Sequence, residues 1–132
     1  MLNDGLKLTG KLSIAINDKV VQEVPNLVVT AGKGYVASRM KDTSATAMSH
    51  MAIGTGSTAA AAGNTALGSE SARTALTSTT VSGADIVYVD TFAAGTGTGA
   101  ITEAGIFNAS SGGTMLCLSL IHISEPTRLL SI

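Results

Sequence analysis

The chain has 132 residues, 45% of them hydrophobic and only 13% charged, with a formal net charge of -1. That length suits one domain with a real core and is too short for two comfortable ones. No basic field is present to hold a phosphate backbone, which argues against nucleic acid as a partner. Aromatic content of 3% and the lack of Trp offer neither a base-stacking platform nor a tryptophan-lined sugar cleft. Cys117 is the lone cysteine. It can form no internal disulfide, and no Cys/His cluster has metal-ligand spacing, so neither a metal nor another cofactor is expected. The start MLNDGLKLTG has no signal-peptide pattern, and no apolar run reaches membrane-spanning length, so membrane insertion is not expected.

Leu6, Leu8, Leu12, Ile14 and Ile16 share one parity while Lys7, Thr9, Lys11, Ser13 and Ala15 take the other. This predicts a strand with one buried face. Asn17-Asp18 supplies a turn, and Val20 to Val24 returns as the hairpin partner. Pro25, lacking an amide hydrogen, is expected to stop that pairing. Thr30 can cap a helix over 31–41, where Tyr35, Val36 and Met40 recur at helical spacing and Arg39 and Lys41 suit the C-terminal end. Gly32 and Gly34 weaken it, and its expected role is to cover the core.

Met48 to Ile53 reads as a short strand, and His50 within it as a structural histidine. Residues 54–63, GTGSTAAAAG, read as an exposed excursion of low complexity. They lack the Gly-Lys-Ser/Thr of a phosphate loop. Asn64 to Glu70 is expected to form one helical turn, with Asn64 as cap and Leu67 pointing inward. Arg73 to Val81 is rich in Thr and Val and reads as one strand, which the Ser82-Gly83-Ala84-Asp85 cluster turns back into Ile86.

The stretch 86–109, IVYVDTFAAGTGTGAITEAGIFNA, reads as two core strands joined by a glycine-threonine loop. In the first strand both faces are largely apolar, as expected of a strand covered on both sides. In the second, Ile101 and Phe107 share one face while Ala104 and Ile106 share the other. Gly95, Gly97 and Gly99 form the loop, without the parallel βαβ unit that a dinucleotide fingerprint requires. Glu103 lies on the parity of Ile101 and Phe107, where a carboxylate must find a partner. Arg73 is the expected partner, with Lys33 or Arg39 as substitutes, and an exposed Glu103 at a sheet edge is the competing reading. Together with Gly105, these residues are the candidate structural positions. The run 109–113 is a hairpin turn, and Thr114 to Cys117 begins the next strand.

The ordered set NLVVTAGKGYVASRM, MAIGTGSTAA, NTALGSE and ITEAGIFN resembles a family of small phage virion proteins, described as tail-fibre-like or structural. The resemblance covers most of 1–117, and none of its motifs is catalytic. It implies a virion location after synthesis in a host cytoplasm, and assembly with copies of the chain or with another virion protein. It also implies further C-terminal strands that this chain lacks.

Residues 118–132, LSLIHISEPTRLLSI, break from that pattern. LSLIHISEPTR resembles, letter for letter, the translation of a transposase adapter used in sequencing libraries. The segment is therefore expected to be read-through with no evolved packing partner. The competing reading is a native C-terminal helix after Ser124.

The architecture expected is mainly β: an antiparallel β-sandwich or small β-domain with one short helix near 31–41. The expected role is that of a non-enzymatic virion component, since no nucleophile-base pair, close acidic dyad or metal set stands out. The alternatives are capsid decoration and a carbohydrate-binding module that reads host surface glycan through 54–63 and 95–99.

Overall fold

The computed structural model describes residues 7–16, 19–93, 96, 100–123 and 128–131. The chain is mainly β, with one short helix, and every strand pairing among the described residues is antiparallel. The strands in chain order are β1 (Gly10–Ile16), β2 (Lys19–Val28), β3 (His50–Gly54), β4 (Glu70–Ala75), β5 (Ser78–Ser82), β6 (Asp85–Phe92), β7 (Ile101–Phe107), β8 (Met115–Ile123) and β9 (Arg128–Ser131); the helix α1 (Thr30–Lys41) follows β2. In space the order is β4-β3-β7-β8-β2-β1, continued through β9 to β6 and β5.

The β1–β2 hairpin forms as its parity predicts, with Leu12 and Ile14 fully buried. Pro25 does not end it: β2 runs on to Val28, and Pro25 stands opposite Lys11. Ser119 Oγ, on the β8 side, donates to the Pro25 carbonyl at 3.2 Å. In a strand the nitrogen and carbonyl of one residue point the same way, so the proline nitrogen faces away from β1 and costs that ladder nothing.

Helix α1 starts at Thr30 rather than being capped by it. Val29 occupies the cap position without a side-chain bond, and the Thr30 N–H donates to Ala62 O at 2.8 Å. Gly32 is its one fully buried residue, because a Cβ there would come within 2.1 Å of Leu116 O. Tyr35 leans on the core while Met40 is 75% exposed. The helix therefore docks by close backbone approach at glycine rather than through a broad apolar stripe.

The long strand expected from Arg73 to Val81 is two strands. β4 pairs with β3 and β5 pairs with β6, and the chain changes neighbours at Leu76 and Thr77, whose N–H groups donate to Ser49 O at 2.9 Å and Val89 O at 2.8 Å. Likewise β6 and β7 are not partners: β6 lies between β5 and β9, and β7 between β3 and β8. Nor is β6 covered on both sides, since Ile86 is 46% and Val87 39% exposed. No helical turn forms over 64–70. Instead Asn64 closes a reverse turn, its Oδ1 accepting from Ala61 N at 2.7 Å and its own N–H donating to Ala61 O at 3.0 Å. Leu67 is buried as expected.

Alternation along β3 divides the core in two. Met51 and Ile53 join Leu12, Ile14, Tyr88 and Phe92 in one cluster, while Ala52 joins Leu67, Phe107, Met115 and Leu118 in the other. Residues 55–69 cover this second face. The β7–β8 pairing is irregular between Ile101 and Glu103 and between Ile106 and Phe107. Such irregularities re-aim side chains, and Ile101 sits with Ala104 and Ile106 rather than with Phe107.

Strand β8 does not stop at Cys117. It continues to Ile123 beside β7, with Leu118 and Ile121 buried, so the expectation of an unpacked tail fails for 118–123. The physical reason is local: 118–123 is rich in Leu and Ile, with apolar residues on both parities, and suits a strand position buried on both faces. The backbone of β9 pairs with both β1 and β6. How the segment came to be encoded is a separate matter, on which its packing does not bear.

Candidate functional site

The feature that organises most of the candidate residues is the carboxylate of Glu103. It is 2% exposed on the face of β7 under the 55–69 loop, and among the described residues no side-chain cation touches it. The expected pair with Arg73 does not form. Backbone donors take its place: Gly56 N at 2.8 Å and Ser69 N at 2.7 Å reach Oε2, and Gly68 N at 2.7 Å reaches Oε1. Charge-assisted bonds of this kind satisfy a buried carboxylate as an ion pair would. The substitutes fail too, because Arg39 donates to Ala45 O and no contact joins Lys33 to Glu103.

The glycines around the carboxylate follow from that geometry. A Cβ on Gly56 would lie 2.5 Å from Glu103 Oε2, and one on Gly54 would lie 2.3 Å from Ser69 O. Thr102 Oγ1 donates to Gly56 O at 2.6 Å, and Thr55 N to Ser69 O at 2.9 Å, which closes the mouth of the loop. Gly105, two residues on, admits the Leu67 side chain that seals the same loop; a Cβ there would meet Leu67 Cδ2 at 3.1 Å. With its lone pairs directed at backbone N–H groups, Glu103 clamps the loop to β7.

Arg73 anchors a different turn. Its guanidinium pairs with Glu70, with Nη2 to Oε1 at 2.6 Å and Nε to Oε2 at 3.0 Å. Nη1 donates to the carbonyls of Ala109 and Gly112, at 3.0 and 2.9 Å, and the group lies 3.8 Å from the centroid of the Phe107 ring. Asn108 Oδ1 accepts from Thr114 N at 2.7 Å, and Gly112 and Gly113 take positive φ, so the 108–114 turn is held from both sides. Gly95, Gly97 and Gly99 lie outside the described residues.

Asp90 is a buried acid that the sequence reading did not single out. It is 2% exposed and ties β6 to β4 by accepting from Thr74 Oγ1, with Thr91 N at 2.8 Å as a second donor. Burial pushes its carboxyl above the usual range, against the pull of those bonds, of Thr77 and of nearby His50. His50 itself is half-buried, with Nδ1 2.7 Å from Ser49 Oγ. No metal-binding cluster occurs among the described residues.

Between α1 and the β5–β6 hairpin lies an open groove of about 520 Å³, lined by Tyr35, Val36, Met40, Ile86, Tyr88 and Cys117 among others. Burial raises the Cys117 thiol and the Tyr88 hydroxyl, each to about 12. Asn26 Oδ1 is buried without a hydrogen-bond partner among the described residues, while Nδ2 faces Cys117 Sγ at 3.6 Å. Turning the amide over lets Oδ1 accept the thiol proton.

Comparison with protein-family models, curated proteins and solved structures finds no match. Among the described residues no helix is long and apolar enough to cross a membrane.

Proposed function

We propose that this chain is a structural component of a phage virion, tail-fibre-like, working by assembly with copies of itself or with another virion protein. The observation that supports this reading is the convergence on Glu103. MAIGTGSTAA contributes Gly56, NTALGSE contributes Gly68 and Ser69, and ITEAGIFN contributes Glu103 itself. Three of the four segments that carry the family resemblance thus meet at one carboxylate. They act there as scaffold, spreading a loop of small residues over one face of the sheet. Ser57, Thr58 and Ala59, at the outer part of that loop, are exposed and carry no charge.

The test is to purify phage particles that carry this gene and to look for the chain by mass spectrometry and immunogold labelling. Labelling on the tail is the expected result, and labelling over the head assigns the chain to capsid decoration instead. Particles that lack the chain altogether overturn the reading.

A further inference from the structure

Two strands end the order of the sheet, and they are built differently. β4 is protected: Glu70 and Arg73 form an ion pair on it, and its pairing with β3 is irregular at Ile53/Gly54. Charges and bulges of this kind blunt an edge against further pairing. β5, Ser78-Thr79-Thr80-Val81-Ser82, has neither device, carries no charge and no proline, and is exposed at all five positions.

The hairpin fixes which backbone groups of β5 are open. Ser82 stands opposite Asp85 across the two-residue turn Gly83-Ala84, with Gly83 at φ 60°. In such a hairpin the flanking residues form a hydrogen-bonded pair and alternate pairs follow suit. Ser82, Thr80 and Ser78 therefore bond to β6; the donation from Thr77 N to Val89 O at 2.8 Å, one residue out of that phase, is an irregularity at the entry to β5 that lies outside the evenly paired 78–82. The N–H and C=O groups of Thr79 and Val81 point away from β6 and meet no partner among the described residues.

We infer that the β5 edge is a self-association strand, on which a second copy of this chain pairs its own β5 antiparallel about a two-fold axis at Thr80. The inference rests on the assembly reading above and names the surface. Only another strand offers a ladder of donors and acceptors at this spacing. The sequence also complements itself under that symmetry: Thr79 meets the partner's Val81, Thr80 meets the partner's Thr80, and Ser78 meets the partner's Ser82. Every cross-strand pair is thus uncharged, and the pairs at the centre are β-branched. Val81 is 70% exposed, and pairing covers its outer side with the partner's Thr79.

The test uses the full chain and light scattering across a concentration series, with amide hydrogen exchange alongside. The wild type is expected to reach the mass of a pair, with the Thr79 and Val81 amides exchanging more slowly as concentration rises. Val81→Pro removes an outward N–H without touching the β6 ladder, and is expected to weaken pairing at least about tenfold with an unchanged circular dichroism spectrum. Val81→Lys, which keeps the N–H and adds an edge charge, is the second variant should proline disturb the fold. A wild type that stays monomeric, or variants that pair as tightly as the wild type, overturn the inference. If the chain is found on particles while those variants still pair, assembly uses another surface and only the edge assignment falls. If pairing through β5 holds and particles lack the chain, the virion reading falls instead.

Discussion

Removing the Glu103 carboxylate should release the loop it clamps. In Glu103→Ala the N–H groups of Gly56, Gly68 and Ser69 lose their acceptor, and the side chain leaves a gap beneath them. Hydrogen bonds to a charged group contribute about 1.5–3 kcal/mol each, but an edge loop can relax and admit water, so the expected loss is about 3–5 kcal/mol rather than the full sum. Glu103→Gln separates the terms. With its oxygen in the Oε2 position it still accepts from Gly56 and Ser69, while its NH₂ confronts Gly68 N–H. One bond is lost, and about 2 kcal/mol is expected. Urea midpoints with unchanged slopes measure both values. Amide exchange at Gly56, Gly68 and Ser69 should rise well before global unfolding in either variant. A shift under about 0.5 kcal/mol for Glu103→Ala, with those amides still protected, would refute the clamp.

Three further outcomes are expected. Arg73→Ala should cost about 2–3 kcal/mol through the lost carbonyl bonds and the Phe107 contact, its ion pair with the partly exposed Glu70 adding little; a double-mutant cycle with Glu103→Gln should return coupling under about 0.5 kcal/mol, because the two share no partner. Gly34→Ala, with nothing within 4 Å of the new Cβ, should stabilise α1 by about 0.5–1 kcal/mol, whereas Gly32→Ala, driven against Leu116 O, should destabilise it; equal effects on thermal midpoints would contradict the docking described for α1. Asp90 has a folded pKa raised above its ordinary 3.8, so its contribution is fully present below the unfolded value and is lost as pH rises through the folded one. Relative to wild type, Asp90→Asn should therefore gain stability as pH rises above that ordinary value, and urea midpoints that run parallel with rising pH would count against it.

Period-two alternation was enough to locate β1 and its hairpin return, because a half-buried strand writes its burial directly into every second residue, and the Ser82-Gly83-Ala84-Asp85 cluster was enough to locate the β5–β6 turn. The helix was legible from spacing and end charges, and the 109–113 turn from its glycines. The mainly β class followed from these elements alone. Which strands become neighbours was not legible: β6 and β7 adjoin in sequence yet lie apart in the sheet order, since pairing depends on how whole faces bury and not on proximity along the chain. Glu103 illustrates the deeper limit. Its parity with Ile101 and Phe107 left two readings open, a buried acid in need of a partner and an exposed one at a sheet edge, and for the buried reading side-chain cations were the partners that the letters displayed. The donors used are peptide N–H groups, which every residue but proline carries, so only the folded loop could select Gly56, Gly68 and Ser69. The glycines near 54–56 and at 68 were the one available signal, because a backbone that must approach a carboxylate this closely has no room for a side chain.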